Sequence, residues 1–273
     1  MKNKTITSLL LALTLSLTVI SGCGNTDTAN VSDASSAETS AGSSVSENTE
    51  VSGSITEASE SVAEVSTEAS DDNEAAANQL LVDLTGTYEE LWPVILADDY
   101  TQTWLDDCAA LVGEENAQAA FDKLSSMVTG EVYGEKAVEA YADGSGVYDC
   151  AFTEGVSTLE FDGENAAIKG YDADGNELFS HTYHYVGMED VRGLYEFESD
   201  DADSGEFTYF CIAPDTNTTT YHIELRYGSN LDALGQYAEG PYAYWLGSGI
   251  STDYDQTMIE NCIELFCTEN LSE

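Results

Sequence analysis

Residues 206–228, EFTYFCIAPDTNTTTYHIELRYG, decide the fold of this chain. Aromatic and β-branched residues flank a polar turn, and this pattern predicts two strands. On the second strand Thr220, His222 and Glu224 alternate, so we expect them to share one face, directed inward. The pair of strands therefore implies a β-scaffold that carries a polar site.

The residues before this stretch predict the scaffold. Short runs rich in aromatic and β-branched residues, separated by Gly-containing turns, predict strands at residues 147–152, 157–161, 166–171, 177–186 and 194–198. Their spacing favours an antiparallel barrel or sandwich. Asp172-Ala-Asp-Gly-Asn176 lacks the remaining ligands of an EF-hand loop, so we interpret it as a hairpin turn.

Helices are predicted on both sides of the strands. Apolar residues at helical spacing predict helix from residue 88 to 128, opening at Glu89-Glu90-Leu91-Trp92 and interrupted at Gly113. A last amphipathic helix carries the apolar stripe Met258, Ile259, Cys262, Ile263 and Phe266. The predicted fold class is α+β, mainly β, with helices at the N-terminal and C-terminal ends.

The N-terminal residues predict export. Lys2 and Lys4 precede an apolar run that ends at Ile20-Ser-Gly-Cys23, a tetrapeptide that resembles a bacterial lipobox. We expect residues 1–22 to be a lipoprotein signal peptide and Cys23 to be lipidated, which anchors the protein outside the cytoplasm. The alternative is an ordinary signal peptide with an incidental cysteine.

A composition change divides the remaining chain. Residues 24–78 contain no aromatic residue, Lys or Arg, so we predict a disordered acidic stalk at 23–78 and a folded domain at 79–273. The chain has 52 acidic and 7 basic residues. Such a balance excludes nucleic-acid binding, because few cations are available to neutralise phosphates, and membrane contact is expected through the lipid alone.

Five cysteines follow Cys23, namely Cys108, Cys150, Cys211, Cys262 and Cys267. An extracytoplasmic address permits disulfides, but the pairing stays open. Cys262 and Cys267 are five apart on a predicted helix and so lie on different faces. No motif of a hydrolase, P-loop or dinucleotide-binding enzyme occurs, and we predict that the protein is not an enzyme.

Collinear motifs resemble the ZinT domain family across the folded part. These are LTGTYEELWPVI at 84–95, VRGLYEFE at 191–198, FTYFCIAP at 207–214, Thr220-Tyr-His222-Ile, Arg226-Tyr-Gly228 and GPYAYW at 240–245. The resemblance implies a calycin, or lipocalin-like, barrel that binds Zn²⁺ or another divalent ion outside the cytoplasm. It also implies a role in metal uptake through an ABC transporter.

The metal site implied by this resemblance has three His ligands, and here only His222 matches. Phe210 occupies the first position, or Cys211 if the register slips by one, and Thr220 occupies the second. Glu224 is a candidate replacement ligand. His181 and His184 lie three apart on a predicted strand, so at most one enters the barrel.

Two hypotheses follow for the function. The first is a lipid-anchored binding protein for zinc or another divalent metal, with His222 and Glu224 as candidate ligands. The second is a calycin-type module that has lost its metal and binds a small molecule or protein, with Tyr242, Tyr244 and Trp245 as candidate contacts. A site around His222 with a third donor favours the first, and an apolar cavity around Phe210 favours the second.

Overall fold

A computed structural model of the chain describes residues 60–142, 144–214 and 222–272. Eight antiparallel strands in these ranges close a barrel in which consecutive strands are neighbours and β8 returns to β1. The strands are β1 Gly86–Glu90, β2 Thr158–Asp162, β3 Ala167–Tyr171, β4 Glu177–Met188, β5 Tyr195–Ser199, β6 Tyr209–Ile212, β7 His222–Gly228 and β8 Gly247–Ser251. This up-and-down order is the calycin architecture, so the predicted fold class is confirmed.

Helices precede and follow the strands, as predicted for the two ends of the chain. They are α1 Glu60–Asp83, α2 Leu91–Ile95, α3 Thr101–Val112, α4 Ala117–Val128, α5 Glu135–Ala140, α6 Leu231–Leu234 and α7 Gln256–Leu271. Gly113 ends α3 with a φ of 88°, a backbone conformation that favours glycine. None of the described helices combines the length and apolar character needed to span a membrane.

Aromatic side chains fill the barrel. Phe210 has no exposed surface, and its ring centroid lies 5.1 Å from that of Tyr227 and 5.2 Å from that of Tyr183. Leu80, Leu81 and other residues of α1 belong to the same buried cluster. The interior is thus a packed core of side chains that excludes water.

A second core lies on the outer surface of the barrel. Ile250 of β8 packs there with residues of the helices, including Leu91 of α2, Trp104 of α3 and Ile263 of α7. Trp104 is fully buried and donates its indole N–H to the carbonyl of Ile95 at 2.8 Å. The predicted apolar stripe of α7 therefore packs against a layer of helices as well as against the barrel.

Several elements differ from the prediction. Residues 88–90, predicted as helical, belong to β1, and the helix starts only at Leu91. The predicted strand at 147–152 is reduced to isolated bridges at Asp149, while β8 and α5 were not predicted. The turn at Asp172 is confirmed, since its carboxylate accepts hydrogen bonds from the backbone N–H groups of Asp174 and Asn176.

The N-terminal boundary also differs. Helix α1 begins at Glu60, inside the stalk predicted as disordered, and Ala77 within it is fully buried. The predicted boundary at residue 79 thus falls in the middle of a helix. The signal peptide at 1–22, Cys23 and the stalk up to residue 59 lie outside the described residues.

Candidate metal site in a cleft outside the barrel

The two candidate ligands share one face of β7, as predicted, but this face is the outer one. Ile223, Leu225 and Tyr227 belong to the core that fills the barrel. His222 and Glu224 alternate with them and therefore point outward. The expectation that they point inward is wrong, because the large apolar side chains of β7 already occupy the interior.

Outside the barrel, His222 and Glu224 line a narrow groove that we call the β7 cleft. Its volume is about 30 Å³. Its other walls come from α2 (Leu91, Trp92 and Ile95) and from α7 (Cys262, Leu265, Phe266 and Glu269). This space suits one or two water molecules or an ion, since organic ligands occupy cavities roughly ten times larger.

Glu269 is the site residue that the sequence analysis missed. It lines the β7 cleft together with His222 and Glu224, so the cleft is lined by one imidazole and two carboxyl groups. Its position contained the signal: Cys262, Phe266 and Glu269 recur at i, i+4 and i+7, on one side of α7. A charged residue on the apolar side of an amphipathic helix requires a polar partner or a ligand.

The cleft continues into a second cavity of about 20 Å³, and Trp92, Glu224 and Phe266 line both. The second cavity also contains Arg192, whose guanidinium lies over the rings of Tyr148 and Tyr237 at 6.0 and 4.8 Å. The indole N–H of Trp92 is buried and has no hydrogen-bond partner in the described ranges. The two cavities thus form a mostly apolar groove with few polar groups.

Cys150 lies at the inner wall of this second cavity. Burial raises the pKa of the Cys150 thiol, and the nearby negative charge of Glu224 raises it further. A neutral thiol is a poor metal ligand, because metals bind the thiolate. Cys150 is thus a poor donor to the site, and the imidazole and carboxyl groups are better candidates.

The donors do not converge in this structure. Across the described ranges, no three His, Cys, Asp or Glu side chains are arranged to hold a metal ion. His222, Glu224 and Glu269 each take part in interactions with the protein around them. The types of donor in the β7 cleft therefore fit a divalent cation, but side-chain rotation must bring them together.

The ligand positions implied by the family resemblance are not assembled here. Phe210 points into the barrel, on the opposite side of the sheet from His222. Cys211 lies on the outer side of the sheet, opposite Arg226 in the register of β6 and β7. Burial raises the pKa of its thiol. Thr220 lies outside the described residues.

The other two imidazoles have structural partners. The Nδ1 atom of His181 lies 2.9 Å from a carboxylate oxygen of Asp201, and that of His184 lies 2.8 Å from one of Asp200. His181 lies on the same face of β4 as the inward-facing Phe179 and Tyr183, whereas His184 is exposed on the other face. Neither residue lines the β7 cleft.

Comparison with known proteins gives structural similarities of low score, of which two are described below. No family model and no curated protein matches the chain. The Zn(II)-bound ZinT-like domain of Streptococcus pneumoniae AdcA matches over 67% of this chain and 87% of that domain, with 14% identity and a TM-score of 0.42. Zn(II)-bound AdcA from the same organism matches over 67% of this chain and 34% of its own, with 15% identity and a TM-score of 0.38. At these scores the similarity assigns neither a family nor a ligand to this chain.

Proposed function

We propose that this protein is an exported, lipid-anchored binding protein for a divalent metal ion, with Zn²⁺ as the first candidate. The observation that carries the proposal is the presence of His222, Glu224 and Glu269 in one narrow cleft. A lipobox-like leader ending at Cys23 supports an extracytoplasmic location. Under this proposal the metal is cargo for uptake by an ABC transporter, and the protein performs no catalysis.

The imidazole and the two carboxyl groups of the β7 cleft suit Zn²⁺. Neutral imidazole and carboxylate are common ligands of Zn²⁺, and three protein ligands leave a fourth position of the tetrahedron for water. The excess of acidic residues, 52 against 7 basic ones, attracts cations to the surface. This attraction does not select a metal, so selectivity has to come from the imidazole and the shape of the cleft.

The alternative function, a calycin-type module that binds a small molecule or a protein, is less well supported. Phe210, where an apolar cavity would favour this hypothesis, is enclosed by the rings of Tyr183 and Tyr227. Trp245 is fully buried and Tyr242 is 8% exposed, so these rings stabilise the protein itself. Tyr244 lies against Tyr141 and Tyr148, with ring centroids 5.6 and 5.7 Å apart.

Calorimetric titration of the chelator-treated full chain with ZnCl₂ tests the proposal. Physiological NaCl and excess Mg²⁺ should be present, since both suppress diffuse binding to the acidic surface. We expect one zinc ion per chain, and we expect His222→Ala to weaken binding at least roughly tenfold. His184→Ala is the matched control, because His184 is exposed and bonded to Asp200.

A second pair of variants tests the third ligand. Glu269→Gln should weaken zinc binding, whereas Glu264→Gln, at an exposed position of the same helix, should not. Equal effects of these two variants would show that the acidic surface as a whole attracts the metal. An absence of heat from the unaltered chain at high micromolar zinc would contradict metal binding.

A further inference from the structure

Helices α3 and α7 bring two cysteines together in the outer helix layer. The sulfur atoms of Cys108 and Cys267 are 3.8 Å apart, and neither residue has exposed surface. Trp104 and Phe266, each close in sequence to one cysteine, form an edge-to-face pair with ring centroids 6.1 Å apart. Packed helices thus hold the two thiols face to face, and small side-chain rotations would bring the sulfurs to the bonding distance of about 2 Å.

We propose that Cys108 and Cys267 form an intramolecular disulfide when the chain folds in an oxidising compartment. The leader at residues 1–22 predicts such an address, where disulfides persist. The proposal answers the question of pairing that the sequence leaves open. It does not depend on metal binding.

The chemistry requires a disulfide oxidant, for which glutathione disulfide is the probe. One cysteine thiolate attacks a sulfur of the oxidant, forms a mixed disulfide and releases one glutathione thiol. The second cysteine thiolate then attacks the sulfur of the first, which closes the protein disulfide and releases the second glutathione. The two protein thiols lose two protons and two electrons in total, and the oxidant is reduced to two thiols.

The structure also indicates when this reaction occurs. Burial raises the pKa of both thiols, and the two thiols further affect each other. Because the thiolate is the reactive form, the folded and reduced protein should react slowly. Oxidation is therefore expected during folding, before α7 closes over α3, and the finished bond should resist reductants in the native state.

The other cysteines are placed less well for this bond. Cys150 lies at the wall of the second cavity beside Ser248, and Cys211 lies on β6 opposite Arg226. Cys262 faces the β7 cleft and is five residues from Cys267, so it is on a different side of α7. All five cysteines are buried, and none forms a disulfide in the part of the chain that the structure describes.

The position of the bond gives it a consequence for the cleft. Cys267 lies between Phe266 and Glu269, both of which line the β7 cleft. A bond to α3 fixes this end of α7, and it joins residues 159 positions apart. The bond is therefore expected to limit opening of the helix that forms one wall of the cleft.

Peptide mapping of the full chain tests the proposal, with Cys23→Ser as the background to prevent cross-links through Cys23. The chain is unfolded under reducing conditions and refolded with reduced and oxidised glutathione, and remaining thiols are alkylated. Digestion after acidic residues suits this chain, which has 52 of them against 7 basic residues. We expect one cross-linked peptide pair containing Cys108 and Cys267, with Cys150, Cys211 and Cys262 alkylated.

Cysteine variants complete the test. Cys108→Ala and Cys267→Ala should each abolish the cross-link, whereas Cys150→Ala should retain it. The map of the background chain is decisive even if a variant fails to fold. Alkylation of all five thiols after oxidative refolding, or a cross-link between another pair, would overturn the proposal.

Discussion

Arg226 is a buried cation in a chain that has few cations. Its side chain has no exposed surface, and its guanidinium donates hydrogen bonds to the carbonyls of Leu234 and Tyr242. The aromatic ring of Tyr237 lies 4.4 Å from the guanidinium carbon. No carboxylate forms a salt bridge with Arg226 in the described part of the chain. The loop after β7 is thus attached to the barrel by backbone carbonyls that converge on one guanidinium.

Replacement of Arg226 by Met should destabilise the fold. Removing the charge relieves the cost of its burial, which also lowers the pKa of the guanidinium. The loss of partners for two buried carbonyls outweighs this gain, so we expect the free energy of unfolding to fall by about 2–4 kcal/mol. Urea denaturation measures the change, and Arg192→Met, a half-buried guanidinium over the same ring, should cost less than about 1 kcal/mol. Equal losses from both variants would show that the carbonyl contacts of Arg226 are unimportant.

At the residue scale the sequence predicts which side chains of β7 share a face but not which side of the sheet this face occupies. Alternation groups His222 with Glu224, and the structure agrees. Both faces of β7 are covered: aromatic residues pack against the inner face, and helices cover the outer face. Alternation alone therefore cannot show which face of β7 points into the barrel. Glu269 is distant in sequence and joins the site only because α7 packs beside β7.

At the element scale, prediction fails where a strand lacks strand-like residues. In β1, Gly86–Glu90, only Tyr88 is buried, and its polar neighbours match the start of a helix. β8, Gly247–Ser251, consists mostly of Gly and Ser. A Cβ atom at Gly249 would lie 2.9 Å from Phe152 and 3.1 Å from Ile223, so this position has no room for a larger residue. Pairing with neighbouring strands and the space left by large side chains determine both strands, and local propensity does not.

The contact between α1 and the β2–β3 turn gives a prediction at this scale. A Cβ atom at Gly163 would lie 2.3 Å from the carbonyl oxygen of Leu81 and 2.4 Å from the Cα atom of Val82. These are backbone atoms, so rotation of a side chain cannot relieve the clash. We expect Gly163→Ala to lower the free energy of unfolding by about 1–3 kcal/mol and to speed hydrogen exchange in the C-terminal part of α1.

Gly235→Ala is the matched control for this experiment. Gly235 has a φ of −71°, and its nearest contact to an added Cβ atom would be 3.6 Å, so the change should stay within about 0.5 kcal/mol of neutral. If Gly163→Ala were equally neutral, α1 would not be held against the turn as the structure shows.

At the scale of the whole molecule, the sequence predicts the fold class more reliably than it predicts individual contacts. The regular spacing of strands predicts an antiparallel barrel or sandwich, and the structure is a closed barrel. The net charge of −45, from which we expect no nucleic-acid partner, also creates a stability problem. Three salt bridges are seen among the described residues, two of them with His. Most carboxylates are therefore not neutralised by neighbouring cations.

Self-repulsion of these carboxylates should make the fold sensitive to salt. A compact chain holds its like charges closer together than an unfolded one, and added ions screen the repulsion beyond about 8–10 Å. We expect the melting temperature at pH 7 to rise as NaCl is increased from low to physiological concentration, by about 2–4 °C for each kcal/mol of repulsion removed. The measurement should be made in chelator, so that bound metal does not contribute. Because protonation removes the charges, the rise should shrink near pH 4, where about half of the carboxylates are protonated. A melting temperature independent of NaCl at pH 7 would show that repulsion does not limit the stability of this barrel.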